Sequence, residues 1–195
     1  MPQFDLRGMK IAQYVNTNGV ISYTDRQEVG KAMQANFELR RAEGRLYAED
    51  GLAEYMTSAT GGTVSLGVAY IKDAAQKLMF GMTDKTRSVT PTGGSATSVT
   101  GLALSAKSEG VYVGLGFYCP AMKDGEKVFW CCRIAKALFG PPSMSLQTKG
   151  ENIVFNTPTT NGEMLMDDSD NALLYESAYV DDEATAIAWV EAALT

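Results

Sequence analysis

The chain has 195 residues, 45% apolar and 21% charged, with a net charge of −6 and a pI near 4.7. This is ordinary globular composition, enough for one core-bearing domain spanning residues 1–195. An acidic chain lacks the basic surface by which a general nucleic-acid binder displaces counterions. Histidine is absent, which excludes a Ser-His-Asp triad, a Cys-His pair, a His-ligated zinc and a histidine general base within the chain.

In chain order, residues 1–17 read as an N-terminal arm, within which Met9–Thr17 is a strand or part of that arm. Val29–Arg41 alternates, with Met33, Ala35, Phe37 and Leu39 on one side and Gln34, Asn36, Glu38 and Arg40 on the other, as in a half-solvated strand. Ala42-Glu43-Gly44 reads as a turn, Arg45–Ala48 as a returning strand and Asp50–Tyr55 as one helical turn. After Gly61-Gly62, Thr63–Val68 sends Val64, Leu66 and Val68 inward. The period then changes. Asp73 caps a helix over Ala74–Phe80, with Ala74 and Leu78 on its apolar face, and Gly81 stands where a left-handed C-cap is expected.

Residues 83–105 are rich in Thr, Ser and Gly, have little to bury, and read as a long loop or a mobile extended arm. Val111–Cys119 alternates again, Asp124-Gly125 is a hairpin-turn signal, and Lys127–Phe139 is the returning strand. Two short strands follow around Lys149-Gly150, then strands over Glu163–Met166 and Ala172–Val180. Asp181 or Asp182 caps a C-terminal helix, Glu183–Leu194, with Ile187, Val190 and Leu194 as its stripe. The fold class is therefore mainly β with some α: an antiparallel β-sandwich or barrel, one short flanking helix and a C-terminal helix.

Few groups carry chemistry. Cys131 and Cys132 stand side by side in Phe129–Ser143, but strand alternation sends them to opposite faces, so they cannot grip one metal, and a cysteine in apolar company is a small hydrophobe. Three cysteines cannot all pair, and neighbours rarely bridge, which suits a reduced compartment such as the cytoplasm. Asp167-Asp168-Ser169-Asp170 lacks the register of a calcium loop and reads as a solvated acidic turn. Gly114 and Gly116 leave room for another surface to approach a strand. The N-terminus lacks a signal-peptide layout, and the longest apolar runs fall far short of a membrane span. No catalytic, cofactor-binding or metal site is assigned, and a protein that works by association is expected rather than an enzyme.

Two blocks carry a resemblance. Phe129–Asp167 holds an aromatic strand, a polar "PPS…TKG" turn, and then Ile153, Phe155, Thr157, Pro158 and Thr159 as an "I-x-F-x-T-P-T" strand. Phe37–Val68 holds a charged hairpin, an "LYAED" strand end and a "GGT-x-x-LGV" strand that leads into the short helix. In this order they resemble the siphophage major tail proteins, the tail-tube subunits of the phi13 type, over roughly residues 9–168. The resemblance implies a tail-tube-like β-sandwich or barrel whose six copies close a ring through sheet edges. Rings would stack helically into a tube through which DNA passes without specific binding. The implied partners are the chain itself and the tape-measure, tail-tip and tail-terminator proteins, with no membrane. The implied location is the virion tail, assembled in the host cytoplasm. Arg87, Thr90, Pro91, Gly93 and Gly94 are the subunit-contact candidates, and Glu38 is the lumen-facing one. The alternative is a monomeric β-sandwich module binding carbohydrate or a receptor through Tyr112, Tyr118 and Trp130, although dispersed aromatics usually belong to a core. A hydrolase with paired carboxylates ranks third, because no pair stands out.

Overall fold

A computed structural model describes residues 3–48, 51–148 and 155–195. Ten strands and two helices follow in the order β1 (Arg7–Thr17), β2 (Val20–Glu28), β3 (Ala32–Ala48), β4 (Gly51–Val68), α1 (Asp73–Phe80), β5 (Thr83–Val89), β6 (Thr97–Ala103), β7 (Val113–Lys123), β8 (Glu126–Phe139), β9 (Thr159–Leu165), β10 (Tyr175–Val180) and α2 (Glu183–Ala193). Eight strands form one antiparallel sheet in the order β2-β1-β7-β8-β9-β4-β3, with β10 also pairing β8. β5 and β6 form a separate two-stranded sheet. The mainly β, antiparallel fold with two helices agrees with the sequence reading.

One strand makes the sheet into a sandwich. Along β8, Phe129–Ile134 pairs with β10, whereas Lys136–Phe139 pairs with β9. β8 thus carries the chain from a first layer (β2, β1, β7, β8, β10) to a second (β9, β4, β3). Between the layers lie Ile11, Leu66, Leu115, Ile134 and Met164, all below 2% exposed. Burying each such side chain contributes about 1.5–3 kcal/mol. α1 adds Ala75, Leu78, Met79 and Phe80 to this core.

A second cluster fills the outer face of the first layer. There Ala12, Tyr14, Tyr23, Tyr118, Phe129 and Cys131 meet Ala186, Val190 and Leu194 of α2. The two glycines of β7 permit it. A Cβ on Gly116 would stand 2.9 Å from Val190 Cγ1, and one on Gly114 would stand 2.4 Å from the Tyr23 ring and 3.0 Å from Leu194 Cδ2. The approaching surface expected at these glycines is the C-terminal helix.

α2 is then tied down at both ends. Asp182 accepts a bond from Thr185 N (2.8 Å) as its N-cap. Glu183 pairs with Arg7 at 2.8 Å and accepts from the Tyr118 hydroxyl at 3.0 Å. Those partners hold the Glu183 carboxyl below its ordinary range. Its last turn carries no basic residue, yet Arg133 from β8 and Arg26 from β2 donate to the carbonyls of Ala193 and Glu191 (2.9 and 2.8 Å). These bonds satisfy carbonyls left open at a helix C-terminus and oppose its negative dipole end.

Several expectations are corrected. Of the two readings of Met9–Thr17 the strand holds and the arm does not: β1 lies between β2 and β7 inside the sheet, and its residues Met9, Ile11 and Ala12 are buried. Residues 83–105 are no loop, because Thr and Val are β-branched and favour extended backbone even where nothing is buried. Thr83–Ala103 forms the β5–β6 hairpin, closed by the turn at Pro91–Gly94, and Leu104 and Ser105 follow outside it. Ala42-Glu43-Gly44 does not turn. β3 continues past a bulge at Arg40/Arg41 through Arg45 to Ala48, and Gly51–Tyr55 is strand, not helix. Charged hairpin residues and an isolated glycine imitate a turn when neither face of a strand is covered. Gly61-Gly62 lies inside β4 rather than at its start. Asp73 is the first helical residue of α1, with Lys72 at the N-cap and no side-chain cap bond, and the inward residue is Ala75 rather than Ala74. Ala172–Leu174 lies outside β10. Lys149, Gly150 and Ile153 lie outside the described residues, and no strand forms over Ser145–Thr148 or Phe155–Asn156.

Candidate interaction surfaces

The three thiols are core material. Cys132 faces the inter-layer core and Cys131 the α2 cluster, as alternation predicts. Burial pushes Cys119 and Cys131 up to about 11 and Cys132 up to about 12, so all three stay protonated at neutral pH. The acidic stretch is more ordered than a solvated turn. Asp167 is 8% exposed, and its Oδ1 accepts bonds from Ser169 N, the Ser169 hydroxyl and Leu173 N (3.2, 2.6 and 2.7 Å). Asp168 accepts from the Tyr14 hydroxyl at 2.9 Å and pairs with Lys136 at 2.9 Å. Lys136 sits 4.8 and 4.9 Å from the Tyr14 and Tyr112 ring centres. These bonds pin the β9–β10 connection to β1 and β8.

What remains unsatisfied is surface, in three places. The first is the far half of the β3–β4 hairpin. β4 pairs with β9 only over Gly62–Gly67, and the β3–β4 register slips between Arg40 and Arg41. Beyond that bulge, Arg41–Ala48 and Gly51–Ala59 pair with each other and with no other strand among the described residues. Eight residue pairs at about 3.3 Å each make an arm roughly 26 Å long. It exposes Leu46 (56%), Tyr47 (65%), Tyr55 (49%) and Met56 (76%). Large apolar side chains at a strand tip, with unpaired backbone beside them, have no role in a monomer's core.

The second is the β5–β6 hairpin. Every residue from Thr83 to Gly101 is exposed. Its internal ties are the strand ladder and a 2.8 Å bond between the Thr86 and Thr100 hydroxyls, and Asp84 pairs with Lys77 of α1 at 2.8 Å. Arg87, Thr90, Pro91, Gly93 and Gly94 all lie on this hairpin and its turn, so the structure groups them. Residues that the sequence reading missed stand beside them: Lys85, Val89 and Val99, on the same ribbon face as Arg87.

The third is the outer face of the second layer. Asn36, Glu38, Thr63, Ser65, Asn161 and Glu163 line an open groove of ≈ 830 Å³ across β3, β4 and β9. Glu163 is paired with Arg40, which leaves Glu38 as the charge of this set without a partner among the described residues. Glu38 lies apart from the hairpin candidates. Among the described residues no strand pairs with the outer edge of β3.

No protein-family model matches this chain, and no curated protein matches it by sequence. Among the described residues, no helix is long and apolar enough to cross a membrane.

Proposed function

We propose that the chain is a structural virion protein, the major tail-tube subunit of a long-tailed bacteriophage, acting by self-assembly and not as an enzyme. Six copies close a ring, rings stack into a tube, and DNA passes along the lumen during genome ejection. The observation that carries this reading is the β3–β4 arm, whose exposed Leu46, Tyr47, Tyr55 and Met56 need cover from another molecule. The open edge of β3 supplies a ring contact, since unpaired N–H and C=O groups seek a partner strand. A heterologous edge contact closes into a ring when its rotation allows. The groove face with Glu38 supplies a lumen wall, where a carboxylate without a partner among the described residues repels phosphate and the neutral side chains around it offer DNA no cation to hold. The resemblance to siphophage tail proteins supports the same reading, with tape-measure, tail-tip and tail-terminator proteins as further partners and the virion tail as location.

A monomeric carbohydrate- or receptor-binding module is the competing proposal. Its aromatic platform loses ground, because Tyr118 is 5% exposed and Trp130 packs against the core, leaving only Tyr112 open among the three. Sedimentation velocity over a range of concentrations separates the two. A tube subunit shifts to large species as concentration rises. A single slow species throughout, together with binding on a glycan array, supports the module and refutes the tube.

A further inference from the structure

The β5–β6 hairpin has two unlike faces. Its register pairs Lys85 with Gly101, Arg87 with Val99 and Val89 with Thr97. Alternation therefore puts Lys85, Arg87, Val89 and Val99 on one face, and Asp84, Thr86, Ser88, Ser98 and Thr100 on the other. The second face is satisfied by the Thr86–Thr100 bond and the Asp84–Lys77 pair. The first carries two cations with no carboxylate partner among the described residues, beside valines 44% and 52% exposed. Asp84 is the only one of the chain's 23 acidic side chains within this hairpin. The ribbon is thus a cationic, apolar face on an acidic protein.

Its complement lies at the other end of the same molecule. The hairpin springs from the C-terminus of α1 and returns to the start of β7, where Val111 N bonds Leu78 O. β7 then runs 11 residues, roughly 36 Å, to the far end of the sandwich. At that end the β7–β8 turn presents Asp124 and Glu126. The pairing of Val180 with Phe129 sets Asp181 and Asp182 alongside. All four acids are exposed. Lys123 and Lys127, the cations nearby, lie over the Tyr179 and Phe129 rings (5.6 and 5.4 Å). Both lysines keep their charge there, but the four acids outnumber them, so charge has a polarity along the strand direction, basic at the Lys85–Arg87 face and acidic at the opposite turns.

We infer that the Lys85–Arg87 face of the β5–β6 hairpin docks on the acidic turns at Asp124–Glu126 and Asp181–Asp182 of a second copy of this chain, so that copies stack head to tail. This rests on the tube reading and assigns the charges of its axial contact. Opposite charges brought together at such a contact fix register and exclude the inverted stack, where like would meet like.

Reciprocal charge reversal tests it, with assembly followed by sedimentation and electron microscopy. The variants are K85E/R87E, E126K/D181K and the chain carrying all four changes. Asp182 is left alone because it caps α2, and Asp124 because it holds a left-handed turn position. All four substituted residues are exposed, and unchanged thermal unfolding of the monomers verifies the fold. Each reversal should raise the concentration for half-assembly about tenfold or more, K85Q/R87Q should do so less, and the four-change chain should recover near wild-type assembly. Wild-type behaviour of K85E/R87E, or no recovery in the four-change chain, overturns the docking alone. A wild-type chain that never assembles overturns the tube reading and the docking with it. If K85E/R87E keeps assembly but loses retention of a duplex-DNA probe that wild type retains, the face serves nucleic acid and the docking is wrong.

Discussion

β7–β8 and β5–β6 are both antiparallel hairpins, and they share almost nothing else. β7–β8 turns on Asp124-Gly125, both at positive φ (52° and 89°), and is covered on both sides, by the second layer and by α2. Nine consecutive residues, Val113–Ala121, are buried. β5–β6 is the same ladder with neither side covered, held by β-branched propensity, one hydroxyl bond and one ion pair. The contrast separates what specifies a strand from what stabilises a fold. Pairing is available to both, but only the covered hairpin removes apolar area from water. The uncovered one is available for an intermolecular contact.

Four experiments break or sharpen this contrast. Ile134→Ala opens a cavity between the layers and should cost about 3–5 kcal/mol in denaturant unfolding. A loss below about 1 kcal/mol would mean that the layers are not close-packed there. All three cysteines belong to β7–β8, so native protein should react with a thiol reagent at least about a hundredfold slower than the same protein carrying Ser98→Cys on the exposed hairpin reacts at that new site. Comparable rates would contradict the burial of the thiols. Gly114→Val drives a side chain into the Tyr23 ring and Leu194, and should cost about 1–3 kcal/mol, with α2 amides losing hydrogen-exchange protection first. Replacing Arg87–Val99 with a two-residue Asn-Gly turn between the paired Thr86 and Thr100 should change monomer stability by less than about 0.5 kcal/mol while impairing stacking. Unchanged polymerisation yield would remove the hairpin from assembly.

The covered half of the molecule was the legible half. Val64, Leu66 and Val68, the two faces of β8, the Asp-Gly turn, Gly81 and the Asp182 cap all follow from periods and caps that burial enforces. Where nothing is buried, no period is enforced. That is why residues 83–105 read as a loop, Ala42-Glu43-Gly44 as a turn and Asp50–Tyr55 as a helical turn. β1 was obscured for another reason. Its inward set, Met9, Ile11, Ala12 and Tyr14, serves two clusters on two faces across an irregular register, so strict alternation fails. Composition alone marks Arg87–Gly94 as candidate contacts, whereas only the strand register joins Lys85 and Val99 to Arg87 on one face. The apolar tip of the β3–β4 arm was visible only once both strands were known to extend past β9.

Assembly bears most directly on the account. Electron microscopy of the purified full chain at rising concentration, alone and with tail-initiation proteins, should show rings or hollow tubes, with Glu38 and Asn161 on the inner wall and the β3–β4 arms crossing between rings. Isolated monomers under every condition, or an assembly with the Glu38 face turned to the outside, would contradict it.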